Sequence, residues 1–358
     1  MNTPYQYSPE VSQRGLTLIE VMVALTVGLI LLIALGSMLV GAIRHYKVQD
    51  DFSRMQENGA YALNSIGTDV RMAGFYGEIG TISLVAADNT PLPQTPSAND
   101  CSLGWATAVD QPLFGIDPTT PALANTALNC ISTANFLTNS PILLLRGGTG
   151  ATVTATQANT LYIQASPSGG VLFSGESYPG YPAAAPVPLP TPFRTKPDGI
   201  TPFSTYPYQV HLYYLRPCSR PTGAGGTCQA TDDDGKPVPT LVRQELTQGV
   251  SPIVMNEQPV AEGIERLSVM YGEDLDGDGF PNIYRNAASV VTWSNVVTVR
   301  VAVLARSTTP AKGYNDSAKS YDLGDGSGAV TCAGTDCSYH RHLFAHTYQA
   351  RNVSQRKQ

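Results

Sequence analysis

The sequence predicts an α+β fold, in which one long amino-terminal helix packs on an antiparallel β-sheet domain with long loops. Two observations lead to this prediction. From Leu16 to Ile43 the chain has 28 residues with Glu20 as the only ionisable side chain, and about 20 apolar residues are enough for a helix to cross a bilayer. The whole chain has only 14% charged residues but 33 glycines and 27 prolines, which indicates strands and loops after the helix.

The helix is predicted to continue beyond the apolar run as an amphipathic helix. Apolar or small residues recur in steps of three and four, while charged residues occupy the positions between them. The recurring residues are Val48, Phe52, Met55, Gly59, Ala62, Ile66, Val70 and Ala73. We therefore divide the chain into a leader (1–15), a transmembrane or filament-core helix (16–43), its amphipathic continuation (44–73) and a β-rich extracytoplasmic domain (74–358).

Strands are predicted wherever short segments are apolar or alternate between apolar and polar residues. Seven such segments occur, at 141–147, 159–166, 208–216, 240–246, 264–272, 295–307 and 342–351. Residues 177–208 carry nine prolines. Because proline cannot donate a backbone hydrogen bond to a sheet, we expect an extended surface loop there.

The lone acid Glu20 needs an explanation, because an ionisable side chain in a membrane span is costly and usually functional. A secretory signal peptide has an apolar region of only about 7–15 residues, followed by a small-residue cleavage site. This apolar run is longer, and no A-x-A site follows it. A plain membrane anchor would need no glutamate.

The stretch RGLTLIEVMVAL, residues 14–25, resembles the class III signal of type IV pilins. The resemblance implies that a prepilin peptidase cleaves between Gly15 and Leu16 and methylates the new amino terminus. It also implies that Glu20 pairs with the Leu16 ammonium of a neighbouring subunit in the filament. The family usually has phenylalanine where Leu16 stands, so this position departs from the pattern.

Four further stretches, at 55–77, 260–279, 293–307 and 341–352, resemble PilW-type minor pilins. The resemblance implies a minor pilin that primes assembly of a type IV pilus, sits at its tip and supports twitching motility and adhesion. The implied partners are other minor pilins, the major pilin, the prepilin peptidase, the inner-membrane assembly platform and a large tip adhesin. The implied location is the inner membrane, with the carboxyl-terminal domain in the periplasm, before assembly and the pilus tip afterwards.

All six cysteines follow the helix, and an even number in this position indicates disulfides in an oxidising compartment. Six cysteines allow 15 connectivities, and spacing favours neighbours. The favoured pairs are Cys101–Cys130, Cys218–Cys228 and Cys332–Cys337. A zinc site is the alternative, with His340, His342 and His346 as further ligands near the closest cysteine pair.

The segment EDLDGDGFPN, residues 273–282, is a candidate calcium loop. Calcium prefers six to eight oxygen ligands, and carboxylates at alternate positions of a glycine-containing loop supply them. The candidate ligands are the side chains of Asp274, Asp276, Asp278 and Asn282, with the carbonyl of Phe280. Position 12, where an EF-hand has glutamate, is Arg285, so the segment is not an EF-hand. An Asp- and Gly-rich hairpin turn is the alternative.

Other functional classes have little support in the sequence. The chain lacks the G-x-S-x-G, H-E-x-x-H and P-loop motifs, so we do not expect an enzyme. A net charge of −6 argues against nucleic-acid binding. Two alternatives to the minor pilin remain: a type II secretion pseudopilin of the J type, and a membrane-anchored, calcium-dependent binding module.

Overall fold

The computed structural model describes residues 15–78, 85–87, 109, 111–117, 130–167, 169–176, 196–199, 201–250 and 253–354. The chain divides into two units, Met1–Asp51 and Phe52–Gln358. The division falls inside the first helix rather than at its end. The predicted fold class is confirmed, because one long helix precedes a domain built mainly of antiparallel strands.

Helix α1 runs from Leu18 to Met72, close to the predicted limits of 16 and 73. A second helix, α2, has four residues, Arg351–Ser354. Asp232–Gly235 form a turn in which Asp233 and Asp234 have left-handed φ angles of 52° and 59°. Short 3₁₀ turns occur at Thr133–Asn135, Ala287–Ser289, Trp293–Asn295 and Gly334–Ser338.

The first sheet has eight strands in the described part of the chain. The strands are β1 (Val85–Ala87), β2 (Leu113–Ile116), β3 (Ile142–Gly148), β4 (Leu161–Ser166), β5 (Gly169–Ser174), β6 (Thr205–Arg216), β7 (Thr240–Leu246) and β8 (Met255–Glu262). Strand β6 lies at the centre of this sheet. Strand β3 pairs with one side of β6. On its other side, β4 pairs with the first residues of β6 and β7 pairs with the last. Every described pair in this sheet is antiparallel except β1 with β5.

The second sheet has four strands, in the order β10-β9-β11-β12. They are β9 (Ile264–Glu273), β10 (Ile283–Arg285), β11 (Val296–Arg306) and β12 (Arg341–Gln349). All pairs are antiparallel. Only Gly263 separates β8 from β9, so the chain passes directly from the first sheet to the second.

The carboxyl-terminal half of α1 buries one apolar stripe against both sheets. Its buried apolar residues are Met55, Ala62, Leu63, Ile66 and Val70, and together with Ala73, directly after the helix, they share one core with apolar residues of β3, β6, β9 and β11. Two residues of the predicted stripe are exposed, Val48 and Phe52, and the Phe52 ring contacts His342 of β12 with ring centres 6.3 Å apart.

Two glycines of α1 allow aromatic side chains of β12 to approach the helix closely. A Cβ atom on Gly59 would lie 2.4 Å from the ring of Phe344, and one on Gly67 would lie 2.1 Å from the ring of Tyr348. The Tyr348 hydroxyl also donates a hydrogen bond of 2.8 Å to the carbonyl oxygen of Leu63. The last long strand is therefore fixed to the first helix by shape as well as by a hydrogen bond.

The predicted proline-rich loop needs a correction at its end. Strand β6 begins at Thr205 and includes Pro207, so residues 205–208 lie in the sheet and not in a loop. Pro207 faces Tyr162 in the short ladder with β4, and its carbonyl oxygen accepts a hydrogen bond from the N–H of Thr149. Residues 177–195 and 200 of the predicted loop lie outside the described residues.

Candidate functional site

The predicted cleavage point lies in an exposed segment directly before the helix. Gly15, Leu16 and Thr17 are not helical, and α1 begins at Leu18. The side chain of Leu16 is 80% exposed. A peptidase can bind a non-helical, exposed backbone directly, whereas a helical one would have to unwind first.

Thr17 and Glu20 form a capping box at the start of α1. The Thr17 N–H and hydroxyl donate to Oε2 of Glu20 at 2.9 and 2.8 Å, and the Thr17 hydroxyl oxygen accepts from the Glu20 N–H at 3.3 Å. Reciprocal bonds of this type satisfy donors that every helix leaves unpaired at its first turn. The sequence analysis missed this role of Thr17, although the spacing T-x-x-E is its usual signature.

The helix that follows is long and apolar enough to cross a membrane. Its most apolar window has a mean hydropathy of 2.8, and none of that window is buried within the protein. The exposed side chains there include Leu25, Leu32 and Met38. A continuous exposed apolar surface of this kind needs lipid or another protein around it.

The aspartate loop joins β9 to β10, and its three aspartates converge. Each of Asp274, Asp276 and Asp278 places one carboxylate oxygen within 4.8 Å of those of the other two. Asp274 is buried, and its two oxygens accept the N–H groups of Gly277 and Gly279 at 2.6 and 3.0 Å. Both glycines have a positive φ, of 83° and 85°, which other residues rarely adopt.

The two other candidate ligands also belong to this loop. The Asn282 amide donates to Asp276 at 3.0 Å, and its carbonyl oxygen accepts from the Leu275 N–H at 2.6 Å. The backbone N–H of Phe280 donates to Asp278 at 2.8 Å, and the Phe280 side chain is 62% exposed. The loop therefore presents a group of hard oxygen atoms of the kind that calcium prefers.

A buried ion pair closes the base of the loop, and the sequence analysis did not anticipate it. The Glu273 carboxylate is fully buried, and its Oε2 lies 2.9 Å from Nε of Arg285. Its Oε1 accepts the N–H groups of Val291 and Thr292. Arg285, which excludes an EF-hand, thus compensates an acid that has been removed from water.

A second acidic turn, residues 231–236, organises a disulfide loop. Asp233 accepts hydrogen bonds from the backbone N–H groups of Ser219 and Val238, each at 2.8 Å, and from the Ser219 hydroxyl. Burial raises the pKa of the Asp233 carboxyl, but these hydrogen bonds outweigh burial and leave the pKa below its ordinary value. These contacts assign the aspartate a structural role.

Two of the three predicted disulfides are confirmed, Cys218–Cys228 and Cys332–Cys337. Cys130 is also disulfide-bonded, and its predicted partner Cys101 lies outside the described residues. None of the cysteines in the described part of the chain is free. Disulfides of this number are typical of proteins in oxidising compartments.

The alternative zinc site is wrong, because the three histidines do not converge. His340 stacks on Tyr314, with ring centres 3.8 Å apart, while His342 and His346 pack beside Phe344 and Tyr348. In the described residues, three possible metal ligands meet at the aspartate loop and at Cys218, Cys228 and Asp232. The second group has no free thiolate, since its cysteines form a disulfide.

Comparison with protein families found two matches. Residues 11–36 match the prokaryotic N-terminal methylation motif, and residues 227–352 match the family described as type IV pilus-assembly protein W, or PilW. The first match contains the predicted cleavage point, Thr17 and Glu20, and the second contains the aspartate loop. The resembling stretch at 55–77 lies outside both matches. No curated protein and no solved structure matched the chain.

The two matches and the structure describe the same kind of molecule. The methylation motif coincides with the capped start of a long apolar helix, and the PilW match covers β7, β8, the second sheet and the Cys332–Cys337 disulfide. Pilins are structural subunits of filaments and not enzymes. Both matches support a type IV pilus-related pilin of the PilW type.

Proposed function

We propose that this chain is a minor pilin that primes assembly of a type IV pilus and sits at its tip. The observation that supports this most strongly is that a methylation motif, at the start of a helix of 55 residues, and a PilW-type match occur in one chain. The proposed partners are other minor pilins, the major pilin, the prepilin peptidase, the inner-membrane assembly platform and a large tip adhesin.

In this proposal, cleavage between Gly15 and Leu16 creates an ammonium group that pairs with Glu20 of a neighbouring subunit. Thr17 binds only Oε2 of Glu20, and no donor in the described residues reaches Oε1. Oε1 can therefore accept from the methylated ammonium while the capping box persists. Attraction between the two charges increases as a filament core excludes water around them.

The Glu20 carboxylate has two separable roles, because glutamine can replace it in the capping box but cannot form the ion pair. We would express wild-type protein, Glu20→Gln and Glu20→Ala in a strain that lacks the chain, with Glu57→Gln as the control. Glu57 is an exposed acid of the same helix. Pili per cell would be counted by electron microscopy, and membrane levels of the protein by immunoblot.

If the charge drives assembly, both Glu20 variants reach the membrane at normal levels but restore no pili, whereas Glu57→Gln restores them fully. Wild-type piliation by Glu20→Gln would contradict the ion-pair role and leave only the helix cap. The tip position is tested separately by immunogold labelling of sheared pili. Gold at one end of each filament supports the proposal, and gold along the shaft contradicts it.

The disulfides support the proposed orientation of the chain. Bonded cysteines at 130, 218, 228, 332 and 337 require an oxidising compartment, which supports a periplasmic carboxyl-terminal domain before assembly. A type II secretion pseudopilin of the J type would share this orientation, but the family match is to a pilus-assembly protein. A binding module that never joins a filament would keep its first 15 residues.

We also propose that the aspartate loop binds calcium, with Asp274, Asp276, Asp278, the Phe280 carbonyl and Asn282 as ligands. Calcium would be titrated into the full chain in detergent micelles and the heat measured. We expect Asp276→Asn together with Asp278→Asn to abolish binding, because both side chains are exposed and their loss does not disturb the buried Asp274.

Asp322→Asn is the matched control, since Asp322 lies in a different acidic turn. Absence of heat with the wild-type chain, or unchanged binding by the double variant, would contradict a calcium site in this loop.

A further inference from the structure

The loop that the Cys332–Cys337 disulfide closes forms one side of a cavity of about 360 Å³. Three segments that are distant in sequence line this cavity, within 235–237, 306–310 and 335–339. The polar side chains that line it are those of Lys236, Arg306, Thr335, Asp336 and Ser338. Its apolar walls are Pro237, Pro310 and Tyr339. We name it the basic pocket.

Arg306 is the buried cation of the basic pocket. It is the last residue of β11, and its side chain is only 10% exposed. The guanidinium lies over the ring of Tyr339, with 4.4 Å between Cζ and the ring centre. Two of its five N–H groups donate to Asp336 at 3.1 Å and to the Pro237 carbonyl oxygen at 2.8 Å. These contacts hold the guanidinium in one orientation at the wall of the pocket.

The Arg306 guanidinium has donor capacity that the described residues do not use. Its buried Nε has no hydrogen-bond partner among them. A buried donor without an acceptor is unfavourable, and nearly all such groups in proteins have a partner. An unpaired donor on a buried cation that lines a cavity therefore indicates that the cavity receives an acceptor.

Positive charge exceeds negative charge around the basic pocket. Asp336 is the only acid among its described lining residues, and this carboxylate is shared between Arg306 and Arg341. Lys236 is exposed, and no acid in the described residues lies within ion-pair distance of its ammonium group. The whole chain has a net charge of −6, so this positive surface is a local feature. The ligand is therefore expected to be an anion.

Charge and size indicate the class of this anion. Lys236 and Arg306 are cations and Asp336 is an anion, so one further negative charge balances the pocket. A carboxylate carries a single charge and fits the planar fork of an arginine, whereas a phosphate monoester carries about −1.5 to −2. The volume lies near the lower end of the range for small-molecule sites, about 300–1,000 Å³. The apolar walls suit the carbon atoms of an organic acid.

The walls of the basic pocket are fixed without a ligand. Thr335 lies in the disulfide-closed loop, and its carbonyl oxygen accepts from the Ser338 hydroxyl at 2.8 Å. The Ser338 carbonyl oxygen accepts from the Ala311 N–H at 2.8 Å. In the wall that contains Lys236, the Lys236 N–H donates to the Asp233 carbonyl oxygen at 3.2 Å. A preformed pocket loses little conformational freedom when it binds a ligand.

We propose that the basic pocket binds an organic carboxylate, which is either a small free acid or the acidic side chain of another protein. Lys236 and Arg306 bind the carboxylate group, and the Thr335 hydroxyl donates a further hydrogen bond. The carbon atoms of the ligand pack against Pro237 and Tyr339. This role is independent of the proposed priming function, since it concerns occupancy of the pocket and not filament assembly.

Tyr339 offers a direct readout, because its ring lies between the pocket and Arg306. The full chain, labelled with ¹³C in its tyrosine rings, would be studied by nuclear magnetic resonance in detergent micelles, and Tyr339→Phe would identify the Tyr339 signal. The two probes are N-acetyl-glutamate amide, which represents a protein side chain, and glucuronate, which represents a free acid. N-acetyl-glutamine amide and glucose are their uncharged controls. The signals of Tyr208 and Tyr271, both buried outside the pocket, report whether each variant is folded.

We expect a saturable shift of the Tyr339 signal with at least one of the two acids and none with the uncharged compounds. A response to one acid alone assigns the ligand to that source, and a response to both assigns recognition to the carboxylate group itself. In Lys236→Gln the half-saturation concentration should rise about tenfold or more, because a charge-assisted hydrogen bond is lost. Lys236 is exposed, so this variant should fold. Lys196→Gln, at an exposed lysine outside the pocket, should bind normally.

Three results would overturn the proposal. They are the absence of a Tyr339 shift with both acids, an equal response to the uncharged compounds, and unchanged binding by folded Lys236→Gln. A stronger response to sodium phosphate than to either acid would also overturn it, because the pocket would then select a different class of anion. Each of these results would leave the pilus-assembly proposal untouched.

Discussion

Arg341 fixes the long connection between β11 and β12 of the second sheet. Its side chain is almost completely buried at the start of β12 and contacts Glu265 at 2.7 Å, Asp316 at 3.5 Å and Asp336. Arg306 also contacts Asp336, at 3.1 Å. The arginine thus ties β9 to two parts of the connection between β11 and β12.

We expect Arg341→Met to lower the free energy of unfolding by roughly 3–5 kcal/mol, because it leaves buried carboxylates without their partner. Arg266→Met, at an exposed position of β9, is the control and should change stability by less than about 0.5 kcal/mol. Chemical denaturation followed by circular dichroism measures both. Equal stabilities for the two variants would show that the buried network contributes nothing.

Asp316 makes stability depend on pH. Burial raises the pKa of its carboxyl, but hydrogen bonds from Tyr314, Tyr321 and Lys319 outweigh burial and lower the pKa below the ordinary 3.8. A lowered pKa in the folded state contributes stability that is present above 3.8 and is lost as the pH falls through the folded pKa.

We therefore expect Asp316→Asn to lose less stability than the wild-type chain when the pH falls from neutral to below 3.8. The free energy of unfolding, measured across this range, provides the test. Parallel pH curves for the two proteins would contradict a lowered pKa for Asp316.

At the scale of elements, helix α1 has two kinds of glycine. Gly36 has no atom within 4 Å of an added Cβ, whereas Gly67 lies against the buried ring of Tyr348. We expect Gly67→Ala to destabilise the domain by about 1–3 kcal/mol through overpacking. Gly36→Ala should not, since alanine favours a helix by about 1 kcal/mol over glycine. Thermal unfolding of both variants measures the difference, and equal melting temperatures would contradict close packing at Gly67.

The strands that could be predicted from the sequence are those with a clear apolar pattern. All seven predicted segments contain a strand, including β9 and β11. The missed strands are β1, β2, β5, β8 and β10. Strand β8, MNEQPVAE, is mostly polar and contains Pro259, which an edge strand tolerates. Strand β5 begins with two glycines, and β1, β2 and β10 have only three or four residues.

At the scale of the whole molecule, the candidate site was predictable only where it is local in sequence. The signal around Gly15, Leu16 and Glu20 lies within six residues, and so does the alternation of aspartates in the loop. The Glu273–Arg285 pair is 12 residues apart, and the basic pocket joins residues from 235 to 339. Such contacts depend on how the two sheets meet, which no short pattern contains.

The central claim is that this chain is processed and assembled as a pilin. The most direct measurement is the intact mass and amino-terminal sequence of the protein extracted from membranes of cells with and without the prepilin peptidase. The account requires a chain that begins at N-methylated Leu16 only when the peptidase is present. A chain that keeps residues 1–15 in both strains would contradict it and would leave Glu20 with no role beyond the helix cap.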